Sequence, residues 1–531
     1  MTTIPTSLPA CTPRRFRTDQ LPEIRHLLHA HPQQGGLGVR AGDSSRVRET
    51  YVDTADARFL RAGYSLAIRN QGEGTDVVLD PWRAPNGRPS LHVRAPIPSA
   101  ELDGFVENCP EGVRGTLQAV VGREPLCELL RLLVRRETYH LTREDEPLGS
   151  VTLVETLAYG DGATQPARHE HVEFELNEDE ADPESFLAVL KQRFALRETD
   201  EPPVPELLRE RTNGSAVAPK LGTVRFGPRS TVAETAYAIL RRHFLRARAH
   251  EPGARLGVDP EELSEMRAAL GRMRAALRLY RGYLPKKARR LRKDLVWITA
   301  HLGDVRDLDV QIGWLRSESA RRPLGELRAL RDIEAALRRR RAGARDEMLA
   351  ALDSKRYAKF VRDCARWLRK GPDGKPKAGR KKIRKIAPDL VEAAMRRVEK
   401  RSVAVADDTG SESLRALRTE VKRARYALEF HRPVYGARAR DVTDRIIALQ
   451  ELLGEYEDAQ VFLARTARFF DESRQMAADD PLAALETLRQ ERMARAEELR
   501  GQLPRAVKKA RGKPWKRLRK VMRKAMKKKR G

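Results

Sequence analysis

Arginines recur along one stretch of the chain at spacings that suit anion binding by a helix. Arg267, Arg274, Arg278 and Arg281 fall on one narrow strip of a helical wheel, beside an apolar stripe rather than opposite it. A guanidinium group donates two parallel hydrogen bonds to a phosphate, which suits Arg to this ligand better than Lys. The pattern therefore predicts a groove for anions, although such cations can also form a solvated helix face that pairs with Glu at four-residue spacing.

The same pattern occurs a second time, 151 residues further along the chain. Residues 263–280 align with residues 414–431, and residues 301–310 align with residues 452–461 at the same offset. A constant offset over two separate blocks predicts a duplicated helical unit, with two copies packed face to face and their cations lining the groove between them. In the second copy, the cations of the strip are Arg418, Lys422 and Arg425.

The charges of the chain are divided unevenly between two parts. The whole sequence has 104 Lys and Arg against 75 Asp and Glu, a net charge of +29. Residues 1–200 carry a net charge of −8, and the remaining residues carry +37. This balance favours a polyanionic partner over a metabolic enzyme of near-neutral charge. Prolines, glycines and small polar residues between positions 201 and 229 predict a linker, so we expect domains at 1–205 and 228–531 joined by residues 206–227.

The hydrophobic period differs on the two sides of this linker. Two-residue alternation predicts strands at residues 48–54, 64–70, 151–157 and 171–177, and a helical pattern at 184–194 closes the first part. The N-terminal part is therefore predicted to be an α+β domain with an antiparallel sheet. After the linker the pattern is almost wholly helical, which predicts an all-α domain. The apolar stripe of its first arginine-bearing helix consists of Met266, Leu270, Met273, Leu277 and Tyr280.

Two further basic segments lie in the helical part. Residues 375–385 are typical of a mobile loop that leads into a helix. The 27 residues from Arg505 onward carry 15 Lys and Arg and no acid, with apolar residues at helical spacing. They predict either a last amphipathic helix with a cationic outer face or a tail for nucleic acid or a membrane surface. The apolar positions of this segment are Trp515, Leu518, Met522 and Met526.

The sequence shows no targeting signal and no cysteine motif. No signal-peptide pattern follows Met1, and no run of about 18 apolar residues occurs, so we expect a cytoplasmic protein. The cysteines lack CxxC spacing, which predicts ordinary thiols rather than zinc ligands or disulfides. These cysteines are Cys11, Cys109, Cys127 and Cys364.

Each arginine-rich helix is followed by a block in which three residues separate Leu-Gly from an Asp, and this arrangement resembles the CHAD family. The resemblance covers residues 228–525. It implies an all-helical domain with a pseudo-twofold repeat that binds inorganic polyphosphate at a basic central surface without a cofactor. The residues to which the resemblance and the arginine strip assign this binding are Arg267, Arg272, Arg274, Arg278, Arg281, Arg415, Arg418, Lys422, Arg423, Arg425 and Tyr426.

This sequence departs from the family pattern at three positions. The family's histidines fall at Ser264 and Arg415, and Gly271 stands where another Arg is usual. We expect binding to survive, because Arg415 can donate to phosphate in place of one histidine and Ser264 can donate one hydrogen bond.

The N-terminal strands, with residues 51–71, resemble the CYTH family over most of residues 10–200. The resemblance implies a barrel-like tunnel in which cationic side chains hold a triphosphate and carboxylates hold Mg²⁺ or Mn²⁺. Strand alternation places Glu173 and Glu175 on one face, and they match the family's metal ligands. The implied phosphate ligands are Arg69, Arg135 and Arg136.

The tunnel is expected to be catalytically degenerate. Residues 11–20 lack the acid-acid-lysine strand of active CYTH members, Ala67 replaces an expected Arg, and Asp80 falls near the place of a phosphate-binding Lys. An acid at that place would repel a phosphate substrate. We therefore assign no catalytic residue, and Mg²⁺ or Mn²⁺ is expected only if the tunnel is active.

Three functions compete at this point. The first is binding of inorganic polyphosphate by the helical domain, which could bring the N-terminal module to polyphosphate granules. The second is a metal-dependent tri- or polyphosphatase that would require Glu173 and Glu175. The third is a basic nucleic-acid-binding protein, since any cationic surface attracts phosphate backbones and nucleic acid would at least be a non-specific competitor. The aromatic content of 5% and the lack of a helix-turn-helix, zinc-finger or RRM pattern argue against the third function.

Overall fold

A computed structural model of the chain describes residues 14–30, 33–34, 37–71, 74–81, 91–94, 102–143, 146–159, 166–176, 182–199, 207, 221–322, 327–373, 376–407, 411–474 and 480–527. The chain divides into two compact units, Met1–Ala218 and Pro219–Gly531. The division falls inside the segment 206–227 in which the sequence predicts a linker. Cys11 and Lys375, both part of the sequence-based interpretation, lie outside the described residues.

The N-terminal unit is built on one antiparallel sheet. Its strands are β1 (Arg14–Arg17), β2 (Gln33–Gln34), β3 (Leu37–Thr54), β4 (Tyr64–Gln71), β5 (Gly74–Pro81), β6 (Leu91–Arg94), β7 (Leu126–Arg143), β8 (Glu146–Tyr159), β9 (Ala167–Leu176) and β10 (Arg197–Glu198). They pair in the order β10-β1-β9-β8-β7-β3-β4-β5-β6, and β2 pairs with β3. The predicted α+β fold with an antiparallel sheet is confirmed. In the described strands the hydrogen-bonded path is open and runs from β10 to β6.

Two of the helices in this unit, α1 (Leu21–Ala30) and α5 (Asp182–Arg193), pack on one face of the sheet. The helices between them in the chain are α2 (Arg58–Ala62), α3 (Phe105–Asn108) and α4 (Glu111–Val121). Ile24 of α1 and Phe186 of α5 share a buried cluster with Val172 and Phe174 of β9. Because neighbouring strand residues point to opposite faces, Glu173 lies on the face away from α1 and α5.

The C-terminal unit is helical. Its helices are α6 (Val232–Leu256), α7 (Pro260–Leu279), α8 (Ala288–Ser319), α9 (Leu327–Leu352), α10 (Lys355–Lys370), α11 (Ile383–Asp407), α12 (Ser411–Tyr435), α13 (Ala437–Arg474), α14 (Asp480–Ala510) and α15 (Lys513–Lys527), with a 3₁₀ turn at Lys377–Arg380. The predicted all-α domain is confirmed. Among the helices of the described ranges, none combines the length and apolar character needed to span a bilayer.

The internal repeat is visible in the helix boundaries and in a symmetric backbone link. The first residues of α6 and α11 are 151 positions apart, as are those of α7 and α12. Thr231 and Lys382, also 151 positions apart, form an isolated antiparallel bridge. At this bridge the amide of Val232 donates to Lys381 O, and the equivalent amide of Ile383 donates to Ser230 O, both at 2.8 Å. The predicted pseudo-twofold repeat is confirmed, and the bridge marks its axis.

A side-chain pair lies on the same axis. Tyr280 and His431 are equivalent residues of the two repeats, and both are buried. The Tyr280 hydroxyl and His431 Nε2 are 3.1 Å apart. The apolar stripe that ends at Tyr280 is buried along its whole length, as its spacing predicts. The Tyr280–His431 pair thus joins the two arginine-bearing helices at the axis, while their apolar stripes face separate cores, with Leu270 in that of the first repeat and Val421 in that of the second.

The helix α7 that carries the first strip begins at a well-formed cap. The Asp259 side chain accepts a hydrogen bond from the amide of Glu261 at 2.9 Å. Pro260 occupies the first helical position, where its missing N–H costs nothing. These residues fix where α7 starts and so which face its arginines occupy.

The last helix, α15, is amphipathic as its periodicity predicts. Trp515, Leu518 and Met522 are buried in the core of the second repeat, while Arg517 and Lys520 are exposed. The apolar face of this helix is thus covered by protein. The side chain of Met526 and the residues after Lys527 lie outside the described part.

Candidate anion-binding site

Lys422 is the centre of a cationic cluster to which both repeats contribute. Arg267 and Arg274 come from α7, and Arg418 and Arg425 are their equivalents on α12. Burial and the charges of these four arginines lower the pKa of Lys422 to about 8. We call these five residues the Lys422 cluster. The structure therefore brings together two cations of the first predicted strip and all three of the second.

The Lys422 cluster is not symmetric at its centre. The repeat equivalent of Lys422 is Gly271, which the sequence comparison marks as a departure from the family pattern. A Cβ atom on Gly271 would lie 3.9 Å from the Tyr426 hydroxyl, an ordinary contact, so the glycine is not required by a close approach. The site consequently holds one lysine among its four arginines rather than two side chains of like charge.

Carboxylates flank the cluster without neutralising it. Arg267 lies 3.8 Å from Asp307, and Arg418 lies 2.5 Å from Glu457. Asp307 belongs to the second repeated block of the sequence, so that block supplies a partner for the arginines of the first. These ion pairs are partly exposed, with Arg267 40% and Arg418 39% accessible, and such pairs are weak in water. Within the described part, Lys422 and Arg274 have no ion-pair partner.

A second group of arginines lines a cavity of about 570 Å³ on the other side of Tyr426. Burial and the charges of neighbouring arginines, Arg423 first among them, lower the pKa of Arg278. The carboxylate of Glu420 accepts hydrogen bonds from two members of this group, Arg397 and Arg423. We call the cavity the arginine pocket, and its arginines are Arg278, Arg281, Arg292, Arg397 and Arg423.

At the equivalent place across the axis, an acid stands where the arginine pocket has an arginine. The repeat equivalent of Arg278 is Glu429, which lies 2.6 Å from Arg425 and 3.5 Å from Arg272. On that side the cations are therefore paired with an internal acid. Arg272 also lies over the ring of Tyr426, with 5.7 Å from its guanidinium carbon to the ring centroid. Two of the predicted ligands, Arg272 and Tyr426, thus face each other.

The family histidine positions lie beside the Lys422 cluster. Arg415 is 61% accessible and lies 3.7 Å from Glu457, the acid that also pairs with Arg418. Ser264 is half-buried one helical turn before Arg267. Arg415 can therefore reach an anion held by Arg418, while the structure shows no contact that defines a role for Ser264.

Two arginines of the pocket, Arg292 and Arg397, are not predicted from the sequence. They come from α8 and α11, whereas the helical-wheel argument considers α7 and α12 alone. A signal was present for Arg292, because the segment from 286 to 293 contains six Lys or Arg. Arg397 has no such local signal, because it reaches the pocket through the packing of α11 on α12.

In the N-terminal unit, the predicted metal ligand Glu173 is already surrounded by cations. It lies 2.8 Å from Arg15, 3.4 Å from Arg136 and 3.3 Å from His171. Burial alone would raise the pKa of Glu173, but hydrogen bonds from His171 and Arg15 and the charge of Arg136 lower it to about 2. Glu175 is exposed. Across the described side chains, no three His, Cys, Asp or Glu residues form a group that could hold a metal ion.

The predicted phosphate ligands of this unit are also paired with acids. Arg69 lies 2.8 Å from Glu49 and 3.5 Å from Asp80. Arg135 lies 3.1 Å from Glu155. Arg135 and Arg136 are adjacent on β7, so they point to opposite faces and cannot hold one ligand together. Arg15, which pairs with Glu173, is a member of this network that sequence reasoning missed.

The chain is similar to one protein family and to several solved structures. Residues 238–467 match the family model described as the CHAD domain. The crystal structure of the CHAD domain from the plant Ricinus communis is similar at 22% identity and a TM-score of 0.43, covering 54% of this chain and 96% of that chain. PptA from Streptomyces chartreusis is similar at 19% identity and a TM-score of 0.44, covering 52% of this chain and 99% of that chain.

A third solved structure is similar to a smaller part of the chain. It is a protein from Bacillus halodurans described as a candidate adenylate cyclase, with 16% identity and a TM-score of 0.24, and it covers 36% of this chain and 92% of that chain. No curated protein matches the chain in sequence.

Proposed function

Residues 238–467 form a CHAD domain, and from this premise we propose that the protein binds inorganic polyphosphate through the Lys422 cluster and the arginine pocket. The observation that carries the proposal is the convergence of four arginines from two repeats on one lysine whose pKa falls to about 8. Like charges held this close repel each other, and a polyanion relieves that repulsion. Strongly perturbed ionisable groups of this kind are typical of binding sites.

The length of the cationic surface favours a polymeric anion over a single phosphate. Along α7 the strip runs from Arg267 in the Lys422 cluster to Arg278 at the arginine pocket, about 17 Å at 1.5 Å per residue, and Arg281 follows just after the end of the helix. A single phosphate would contact only one end of this strip. A chain of phosphates can contact both groups, and each contact adds a charge-assisted hydrogen bond.

Nucleic acid is the weaker candidate for this surface. Sequence-tolerant binding of single strands uses exposed aromatic rings on which bases stack. The aromatic residues beside the arginines, Tyr426 and Phe430, are buried and stacked on each other. Duplex DNA is therefore expected to compete only through the general attraction of phosphate for positive charge.

The test is binding of labelled long-chain polyphosphate to the full-length protein, in competition with duplex DNA at one fixed salt concentration. The variant changes Arg267, Arg274, Arg418 and Arg425 to Ala. We expect its affinity for polyphosphate to fall by about 100-fold or more, because a hydrogen bond to a charged group contributes about 1.5–3 kcal/mol.

A matched control removes the same charge elsewhere in the helical unit. Arg331, Arg339, Arg340 and Arg362 are exposed on α9 and α10, away from both cationic groups. Their change to Ala should leave polyphosphate affinity within about threefold of the wild type. If DNA competes as well as polyphosphate and both fourfold variants bind alike, the attraction is generic and the proposal is wrong.

Binding of long polyphosphate would also determine where the protein is found in the cell. A cytoplasmic chain that binds long polyphosphate would collect at polyphosphate granules and carry its N-terminal unit there. A fluorescently tagged wild type should then overlap with granules, and the fourfold cluster variant should not.

A further inference from the structure

In the first repeat, the end of α6 is closed by a buried polar network. Arg255 donates to Glu251 at 3.1 Å and to Asp353 at 2.7 Å. The Tyr357 hydroxyl donates to the same Glu251 at 2.7 Å. Arg255 and Glu251 are each 2% accessible. These contacts fasten α10 and the turn before it against α6, and the buried side chains of Arg255 and Glu251 occupy the space between them.

The second repeat lacks the residues that make this network. The offset of 151 places Ser402 at the position of Glu251 and Ala406 at that of Arg255. The two repeats also differ in helix length. In the first repeat α9 ends at Leu352, which is equivalent to Leu503, but α14 of the second repeat continues for seven more residues, to Ala510. The next helix is displaced by the same amount, so that Trp515 of α15 takes the place of Tyr357 in the core.

A groove of about 840 Å³ stands in the second repeat at the place of the closed network. Its floor is apolar and includes Leu414, Leu417, Leu503 and Trp515, all buried. The volume is within the range of about 300–1,000 Å³ that is typical of small-molecule sites. The groove thus lies where the two repeats differ in sequence and in helix length.

The rim of the groove is cationic. Lys508, Arg511 and Lys516 stand along it, and Glu399 is the one carboxylate among the lining residues, where it pairs with Arg511. In the described chain, Lys508 and Lys516 have no ion-pair partner. An apolar floor beneath unpaired cations is complementary to a molecule with an aliphatic chain and an anionic head.

We propose that this groove binds a free single-chain amphiphilic anion, a fatty acyl or alkyl chain that ends in a phosphate or carboxylate. The alkyl chain lies on the floor against Trp515, and the head is held by Lys508 and Lys516. Because the first repeat is closed at the equivalent place, each protein chain binds one such molecule. The groove is formed by α11, α12, α14 and α15 and does not include the Lys422 cluster or the arginine pocket.

The probe is dodecyl phosphate with a bromine atom at the chain end, used with the full-length protein below its critical micelle concentration. Bromine quenches tryptophan fluorescence on contact, so binding should reduce the emission of Trp515. We expect calorimetry to give one site per chain and the quenching to disappear in Trp515→Phe. The matched variant Trp367→Phe removes a core tryptophan of the first repeat and should keep the quenching.

The head-group contact is tested separately. Changing Lys508 and Lys516 to Ala should weaken binding by about tenfold, the equivalent of one charge-assisted hydrogen bond. The control variant changes Arg517 and Lys520, exposed residues of the same helix that do not line the groove, and should bind like the wild type. Unaltered polyphosphate binding and thermal unfolding in both variants would establish that they are folded.

Three results would overturn the proposal. The first is the absence of quenching, or quenching that persists in Trp515→Phe. The second is binding of uncharged dodecanol as tight as that of the phosphate probe, which would mean that the cationic rim does not recognise the anionic head group. The third is a response to anionic lipid vesicles with none to the monomeric probe, which would make α15 a membrane-surface element instead.

Discussion

Lys422 gives the proposed binding a pH dependence. In the unliganded protein its pKa is about 8, first because of burial and then because of the arginines around it. A bound polyanion favours the charged form of the lysine and raises that pKa again. Between the two pKa values, binding takes up one proton, so affinity must fall as pH rises above about 8.

We predict that polyphosphate affinity falls by up to about tenfold per pH unit between pH 8 and pH 9.5, because one proton is taken up. The variant Lys422→Arg should lose this dependence, since guanidinium groups stay protonated over that range. The dissociation constant is measured at constant ionic strength at each pH. As a control, Lys400→Arg changes an exposed lysine of α11 and should keep the wild-type slope.

A flat profile in the wild type would show that no phosphate of the ligand contacts Lys422. A slope that survives in Lys422→Arg would assign the proton to another group. In either case the Lys422 cluster would lose its place at the centre of the proposed site.

The sequence alone predicts most residues of the Lys422 cluster, but it does not predict that the arginine strip is divided between this cluster and the arginine pocket. A helical wheel and the offset of 151 predict that Arg267 and Arg274 lie near their equivalents on α12. The wheel shows one strip, whereas Arg278 and Arg281 at its other end belong to a separate pocket. That pocket depends on how α8 and α11 pack, and tertiary packing has no local signature in the sequence.

At the scale of elements, the pair Tyr280 and His431 joins the arginine-bearing helices at the axis. His431 Nδ1 lies 2.6 Å from the carbonyl of Ala427, so this nitrogen carries the hydrogen and Nε2 accepts from the Tyr280 hydroxyl. Burial lowers the pKa of His431 to about 4, which keeps the ring neutral at pH 7. The hydrogen bond therefore needs no counter-charge in the core.

We predict that Tyr280→Phe lowers the free energy of unfolding of the helical unit by about 1–3 kcal/mol, because Nε2 of His431 is left buried without a donor. Urea unfolding followed by circular dichroism measures the change. The control is Tyr283→Phe, which removes a partly exposed hydroxyl that has no hydrogen-bond partner in the residues described. Equal stability of Tyr280→Phe and the wild type would mean that the pair contributes nothing to joining the repeats.

The elements themselves were predictable to different degrees. The periodicity predicts the helical domain and its duplication because apolar positions recur every three or four residues over long helices. The strands were predicted in part. In β3 alternation predicts residues 48–54 alone, and the register shift between Ala41 and Ser44 interrupts the two-residue pattern before them.

In the whole molecule, the two units carry opposite net charge and differ in how accessible their candidate binding residues are to a phosphate ligand. Residues 1–200 have a net charge of −8, and the arginines that the CYTH resemblance assigns to phosphate, Arg69, Arg135 and Arg136, are each paired with a carboxylate. A triphosphate would have to displace these internal acids to bind those three arginines. A metal ion would have to displace Arg15, Arg136 and His171 from Glu173.

We predict that the full-length protein, given tripolyphosphate with Mg²⁺ or Mn²⁺, releases no more phosphate than its Glu173→Ala, Glu175→Ala double variant. Phosphate release is followed colorimetrically over several hours. Metal-dependent release by the wild type that is lost in the double variant would instead support the hydrolase that the CYTH resemblance implies.

The single lysine among four arginines limits how such a site can arise. In a homodimer of half-length chains, Gly271 and Lys422 would be the same residue on two subunits, so the site would carry two glycines or two lysines. Two glycines would leave the four arginines without a central cation, and two lysines would repel each other at the subunit interface. Joining both halves in one polypeptide lets each half mutate alone, so the centre of the site can hold one cation.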